Sequence, residues 1–301
     1  MSDEHLDPTQ LAELLSLPYS VETQSRIAKY LNTGGSETHD RAAEENFEKI
    51  MMFLSIISSK VVGLPMSAGH SLGTAIIDRI CVTAMSVQDL FRGHEAGRLP
   101  FMDHSSIAIL SRTIIDSSTM YFYLTEDVSG EEWTFRFKVM QIHDVASRLR
   151  LFKGLISEEA DKQRATLKTL RDELKEMPPF KHRREEERAK LQSGQQLYVN
   201  GMRSILESMN FDERYFDGVY NYLSAHAHSM PLSYFRDKEG FEQTLWQRTF
   251  AQYALHHAWV MMVRVALREV ELSSLEGQFD EQQLKEFRAM AAHRPTIADA
   301  A

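Results

Sequence analysis

Between Ser105 and Leu124 the chain reads SSIAILSRTIIDSSTMYFYL, without a glycine or a proline. Ile107, Leu110, Ile114, Ile115, Met120, Phe122 and Leu124 fall on nearly every side of a 3.6-residue period. A helix that is apolar all round is surrounded by other helices and does not lie on a surface. The stretch therefore predicts a central buried helix, and with it an all-α fold.

Sequence on both sides supports the same reading. Arg41 to Val62 carries Phe47, Ile50, Met51, Leu54, Ile57 and Val61 at helical spacing. Leu72 to Phe91 repeats it with Ile76, Ile80, Val87 and Leu90, and Trp133–Leu155, Tyr215–His228 and Phe241–Leu272 extend the series. Pro65, Pro100, Pro178, Pro179 and Pro231 separate these proline-free segments. Proline costs about 3 kcal/mol inside a helix, so it belongs at joints. Fourteen glycines and eight prolines in 301 residues are about 7% of the chain, against a usual share nearer 12%. That scarcity disfavours sandwiches, barrels and doubly wound sheets, which need tight corners. The expected architecture is an up-and-down bundle of five or six core helices over residues 41–272. A short helix and flexible joint (1–40) precede it, and a tail helix (273–301) follows.

One segment differs in character. Ala160, Leu167, Leu170, Leu174 and Met177 form a narrow stripe, and after Pro178-Pro179 the residues Leu191, Tyr198, Met202, Ile205 and Met209 continue one. Two narrow stripes joined at a proline turn predict an antiparallel helical hairpin over 157–209, projecting from the bundle. The run Lys181-His182-Arg183-Arg184 is followed by Glu185-Glu186-Glu187 and reads as a solvated face with i,i+4 pairs.

Net charge is −9, which argues against broad electrostatic binding of nucleic acid but leaves room for a small basic site. The single cysteine, Cys81, excludes a disulfide scaffold. The start Met1-Ser2-Asp3-Glu4-His5 has neither the basic nor the apolar part of a signal peptide. The longest apolar runs, Met51–Ile57 and Trp259–Leu267, fall well short of the roughly 20 residues of a membrane span. The expectation is a soluble cytoplasmic protein with no membrane partner.

Gly69-His70-Ser71-Leu72-Gly73 matches the nucleophile elbow of lipases, but that motif needs a buried strand before the turn, and Pro65-Met66-Ser67-Ala68 stands there instead. A capping turn explains the same residues. No His-Glu-x-x-His or Glu-x-x-His occurs. His226 and His228, two residues apart, face different sides of a helix, as do the adjacent His256 and His257. No metal site and no cofactor are expected. Arg-x4-6-His, a ribonuclease motif of helical-bundle toxins, occurs three times (Arg98…His104, Arg136…His143, Arg288…His293), and chance alone supplies roughly 2.6 matches in such a composition. Arg136 and His143, two turns apart on one helix face, are the best placed. Arg112 and Asp116 are i,i+4 partners in the central helix, either a structural ion pair or the floor of a polar cavity. Tyr220, Ser224 and His228 share one face at i, i+4, i+8.

Taken together, the stretch Ser105–Asp116 and the later Tyr220-x-x-Leu223-Ser224-x-x-x-His228 resemble a family of bacterial all-helical proteins of unknown function related to the HEPN-like bundles. The family pattern is an arginine with an acid four residues on, then a distal Tyr…Leu-Ser-x-x-x-His. This chain departs from it in carrying Asp116 where the family carries Glu. The resemblance spans roughly residues 41–272. It implies that Arg112, Asp116, Ser224 and His228 converge as a catalytic site between helices. Tyr220, Tyr222, Arg136 and His143 are the candidate substrate-binding residues. It further implies an RNA-targeting protein of defence or toxin type, acting as a metal-independent endoribonuclease if the site is catalytic. His228 would then be the general acid or base, Arg112 would neutralise phosphate, and Asp116 would hold Arg112. A homodimer is the implied assembly. The alternative is a non-enzymatic interaction protein whose polar cluster is structural and whose 157–209 hairpin binds a partner or a second copy.

Overall fold

The computed structural model of the protein describes residues 37–95, 97, 102–151, 158–228 and 243–292. These described residues are 84% helical, in eleven helices, with no strand among them. The fold is an all-α helical bundle. Its helices are α1 (Glu37–Val61), α2 (Ala68–Glu95), α3 (His104–Thr125), α4 (Gly130–Leu151), α5 (Glu158–Glu176), α6 (Pro178–Lys181), α7 (Glu185–Ser193), α8 (Met202–Ser208), α9 (Glu213–Ala227), α10 (Gln243–Leu272) and α11 (Glu281–Ala292). Helix α1 begins inside the stretch expected to be a flexible joint; the short helix expected before it lies outside the described residues. So do Phe152–Leu155 at the end of the segment expected to start at Trp133, and Phe241 at the start of the last long one.

Short polar residues start the helices. Asp103 accepts from the Ser106 amide (3.0 Å), Asp212 from Tyr215 (2.9 Å) and Asp280 from Gln283 (2.7 Å). Ser67 and Ser129 do the same for His70 and Glu132. Each such cap satisfies an otherwise orphaned amide and contributes about 1 kcal/mol.

The chain divides into two compact units: residues 125–205, and the sequence on either side of them. In the latter, α1 packs along α10 and against α2, and α11 packs on α10. Phe47, Ile50, Leu54 and Ile57 of α1 are buried with Ile77, Ile80 and Val87 of α2 and with Met262 and Val265 of α10. Ala251, Ala254, Ala258 and Ala266 line the buried side of α10. Helix α3 is buried along most of its length, including Ser111, Ser117, Ser118 and Thr119. Two of those hydroxyls bond back to their own helix, Ser118 to the Ile114 carbonyl (2.8 Å) and Thr119 to that of Asp116 (2.8 Å). Such bonding lets polar residues sit inside a helical core.

The unit 125–205 is built on α4. Phe135, Val139, Ile142 and Ala146 meet Leu167, Leu170 and Leu174 of α5, Phe180 of α6, Leu191 of α7 and Val199 in one core. The stripe read on α5 is therefore its buried face. The second stripe is not one continuous helix: α7 stops at Gly194, and α8 begins only at Met202, so Tyr198 lies between helices. Gly194 is left-handed (φ 71°), and a Cβ there would stand 2.5 Å from the Ala146 Cβ. Only glycine permits both this backbone and this approach.

Candidate functional site

Arg112 leaves α3 at a half-buried position and reaches Tyr220 of α9. Its Nη2 donates to the Tyr220 hydroxyl (2.9 Å), and its guanidinium lies 4.8 Å from the centre of that ring. Asp116 Oδ2 stands 3.8 Å from Arg112 Nε, an ion pair without a hydrogen bond. The buried Nε has no acceptor among the described residues. Partial burial raises the Asp116 carboxyl above its usual range, opposed by the Arg112 charge and a Tyr220 hydrogen bond. So Arg112, Asp116 and Tyr220 come together: an arginine held by a tyrosine hydroxyl beside its ring and only partly neutralised by its acid.

The other candidates make contacts of their own. Ser224 spends its hydroxyl on the Tyr220 carbonyl (2.6 Å). His228 is the exposed residue that ends α9, its backbone amide bonded to the Ser224 carbonyl. No hydrogen bond, ion pair or ring contact joins His228 to Arg112 or Asp116 among the described residues. From Tyr220 to His228 is eight residues, about 12 Å along a helix. Tyr222 points into the core, where its ring stacks on Phe250 (5.5 Å) and meets Tyr253 edge-on (5.3 Å). Arg136 and His143 belong to the unit 125–205. There Arg136 is 3% exposed, with Glu126 at 2.7 Å and Glu132 at 3.0 Å, so its cation is already matched. His143 is half-buried, and its Nδ1 has no acceptor or donor among the described residues.

Two polar clusters escaped the sequence reading. His226, on the face of α9 opposite His228, is buried and bonds the Ser105 hydroxyl through Nδ1 (3.0 Å), with His104 edge-on at 5.4 Å. Burial, helped by the His104 charge, lowers its imidazole to about 4. It is therefore neutral at pH 7. Glu269 on α10 is fully buried and accepts from Tyr121 (2.7 Å) and Ser273 (2.6 Å), with His70 Nε2 at 2.7 Å. His70 is the second residue of the lipase-like Gly69–Gly73 stretch, which forms the first turn of α2 and follows no strand.

Among the described residues, no three His, Cys, Asp or Glu side chains gather closely enough to hold a metal ion, and no helix is long and apolar enough to cross a membrane. The chain matches no protein-family model, no curated protein and no solved structure.

Proposed function

We propose that the α3–α9 contact is a phosphate-recognition site and that the protein is a HEPN-like RNA-directed protein. The observation that carries this reading is the state of Arg112. One of its Nη2 donors is held by the Tyr220 hydroxyl, with the ring centre 4.8 Å from its guanidinium carbon, its acid stands off at 3.8 Å, and no protein acceptor takes its Nη1 donors among the described residues. A preorganised, incompletely neutralised guanidinium is the side chain that best takes a phosphate oxygen. Only one such arginine is present in the cluster, which fits a single phosphate group and not a track of backbone. His228, about 12 Å along α9, is placed to meet RNA beyond that phosphate and not to flank the same one.

The test is binding of a short single-stranded RNA followed by fluorescence anisotropy. Arg112→Met keeps the length and removes the charge; it weakens binding about tenfold, the scale of one charge-assisted contact. Equal affinity in wild type and variant removes the reading, leaving the cluster as a structural element of an interaction protein. Cleavage of the same RNA by wild type and by His228→Ala is read in parallel: product lost only in the variant assigns His228 a catalytic part, and equal background in both limits the site to binding.

A further inference from the structure

Asp116 is the member of the Arg112 site that a phosphate alone leaves unexplained. Its carboxylate stands 3.8 Å from the guanidinium, where it repels any anion that Arg112 takes. Although the two residues are one helical turn apart, no hydrogen bond joins them. Arg112 gives an Nη2 hydrogen to Tyr220 instead, and the acid is left standing off. Asp116 is also the more accessible of the two, its side chain 46% exposed against 21% for Arg112. Tyr220 is its single hydrogen-bond donor among the described residues, whereas an ionised carboxylate has room for about four. Burial with so few donors agrees with a carboxyl raised above its usual range. The site therefore presents two open functions side by side: donors on Arg112 Nη1 and acceptor lone pairs on Asp116.

A ligand that satisfies both carries an anion with a hydrogen-bond donor a few bonds away. The DNA backbone offers no such donor: on either side of each phosphate it has ester and ring oxygens and carbon-bound hydrogens. The RNA backbone does. Its 2′-hydroxyl sits on the ribose carbon next to the one that bears the 3′-phosphate, and it donates as well as accepts. Acidic side chains take ribose hydroxyls in this way in dinucleotide-binding folds. We propose that Asp116 accepts the 2′-hydroxyl of the nucleotide whose 3′-phosphate lies on Arg112, and that this pair selects RNA over DNA. The assignment rests on the phosphate-recognition reading above and names the residue that discriminates the sugar. With ribose in place the carboxylate gains a donor, and its repulsion of the phosphate is offset. With deoxyribose only the repulsion remains, so the same residue favours one nucleic acid and disfavours the other.

Fluorescence anisotropy with three single strands of one sequence tests it: RNA, DNA and 2′-fluoro RNA, which keeps the ribose pucker and lacks the donor. Wild type binds RNA about tenfold more tightly than either of the others. Asp116→Ala, a half-exposed position whose folding is checked by circular dichroism, binds all three within about twofold of one another. Arg112→Met weakens RNA and DNA alike. An acid that only positions Arg112 gives a different pattern: Asp116→Ala then weakens every strand by the same factor and the preference persists, which overturns the assignment. So does 2′-fluoro RNA binding as tightly as RNA, because the preference is then one of sugar shape, and so does a wild type indifferent to the sugar. In these three cases the phosphate reading stands as long as Arg112→Met still weakens binding. Binding unaffected by Arg112→Met removes the phosphate site, and the 2′-hydroxyl assignment with it.

Discussion

Glu269 has no solvent contact, yet its carboxylate meets a ring nitrogen and two hydroxyls from α2, α3 and the end of α10. A buried acid is tolerable when its lone pairs are filled, and removing the match leaves donors stranded. Glu269→Gln presents an amide hydrogen where one donor now bonds, and it destabilises the protein by about 2–4 kcal/mol. Tyr121→Phe deletes one bond and costs about 1 kcal/mol. Urea midpoints measure both, and an unchanged midpoint for Glu269→Gln denies the hub a structural role. His226 supplies a second residue-scale expectation. In the folded chain its imidazole sits near 4, against 6.5 for an unperturbed one. Between those values the unfolded chain holds a proton that the folded chain lacks, so stability rises with pH through this window. Stability is complete above about 6.5, falls as pH drops, and levels near 4, with an upper limit of about 3 kcal/mol. Denaturation at pH 4–8 reads this slope, and His226→Gln flattens it by about one proton. An unchanged slope in the variant places the titration elsewhere.

At the scale of elements, Gly194 decides how the unit 125–205 closes. It ends α7 in the left-handed region and lets that helix approach α4 at Ala146. Gly194→Ala adds the cost of a left-handed alanine, about 1 kcal/mol, to an overlap that must push two helices apart. The expected total is about 2–3 kcal/mol, within the range of overpacked sites. Hydrogen exchange quickens over 125–205, and Ala146→Gly in the same chain restores part of the protection. Uniform exchange in Gly194→Ala rejects the close approach. The same glycine breaks the second apolar stripe. Apolar residues at 191, 198, 202, 205 and 209 keep a helical rhythm across a segment that is helical only in part. Gly194 after Ser193 is a helix-stop signal, and it outweighs that rhythm. The longer helices were legible because no such signal interrupts them, and because a proline such as Pro65 or Pro178 stands at their ends.

On the scale of the whole molecule, legibility tracks distance along the chain. Arg112 and Asp116 are a turn apart on one helix, so spacing alone pairs them. Ser105 and His226 are 121 residues apart, and His70 and Glu269 are 199 apart; no periodicity within one helix can display such meetings, which arise only when helices pack. Net charge is the other whole-molecule property, and it constrains how RNA can be held. At −9 the protein repels a polyanion at long range, so attraction must be local. One phosphate contact to a single strand gives a slope of about −0.7 in log K against log salt. Salt also screens the general repulsion, which draws the slope toward zero. The expected slope for wild type therefore lies between zero and about −1, and from 50 to 200 mM salt affinity falls by no more than about fourfold. Arg112→Met removes the contact and leaves only the screened repulsion, so its slope is zero or positive. A steep wild-type slope of several units, retained in Arg112→Met, would mean that a basic track elsewhere binds the RNA, and the Arg112 site would lose its assigned ligand.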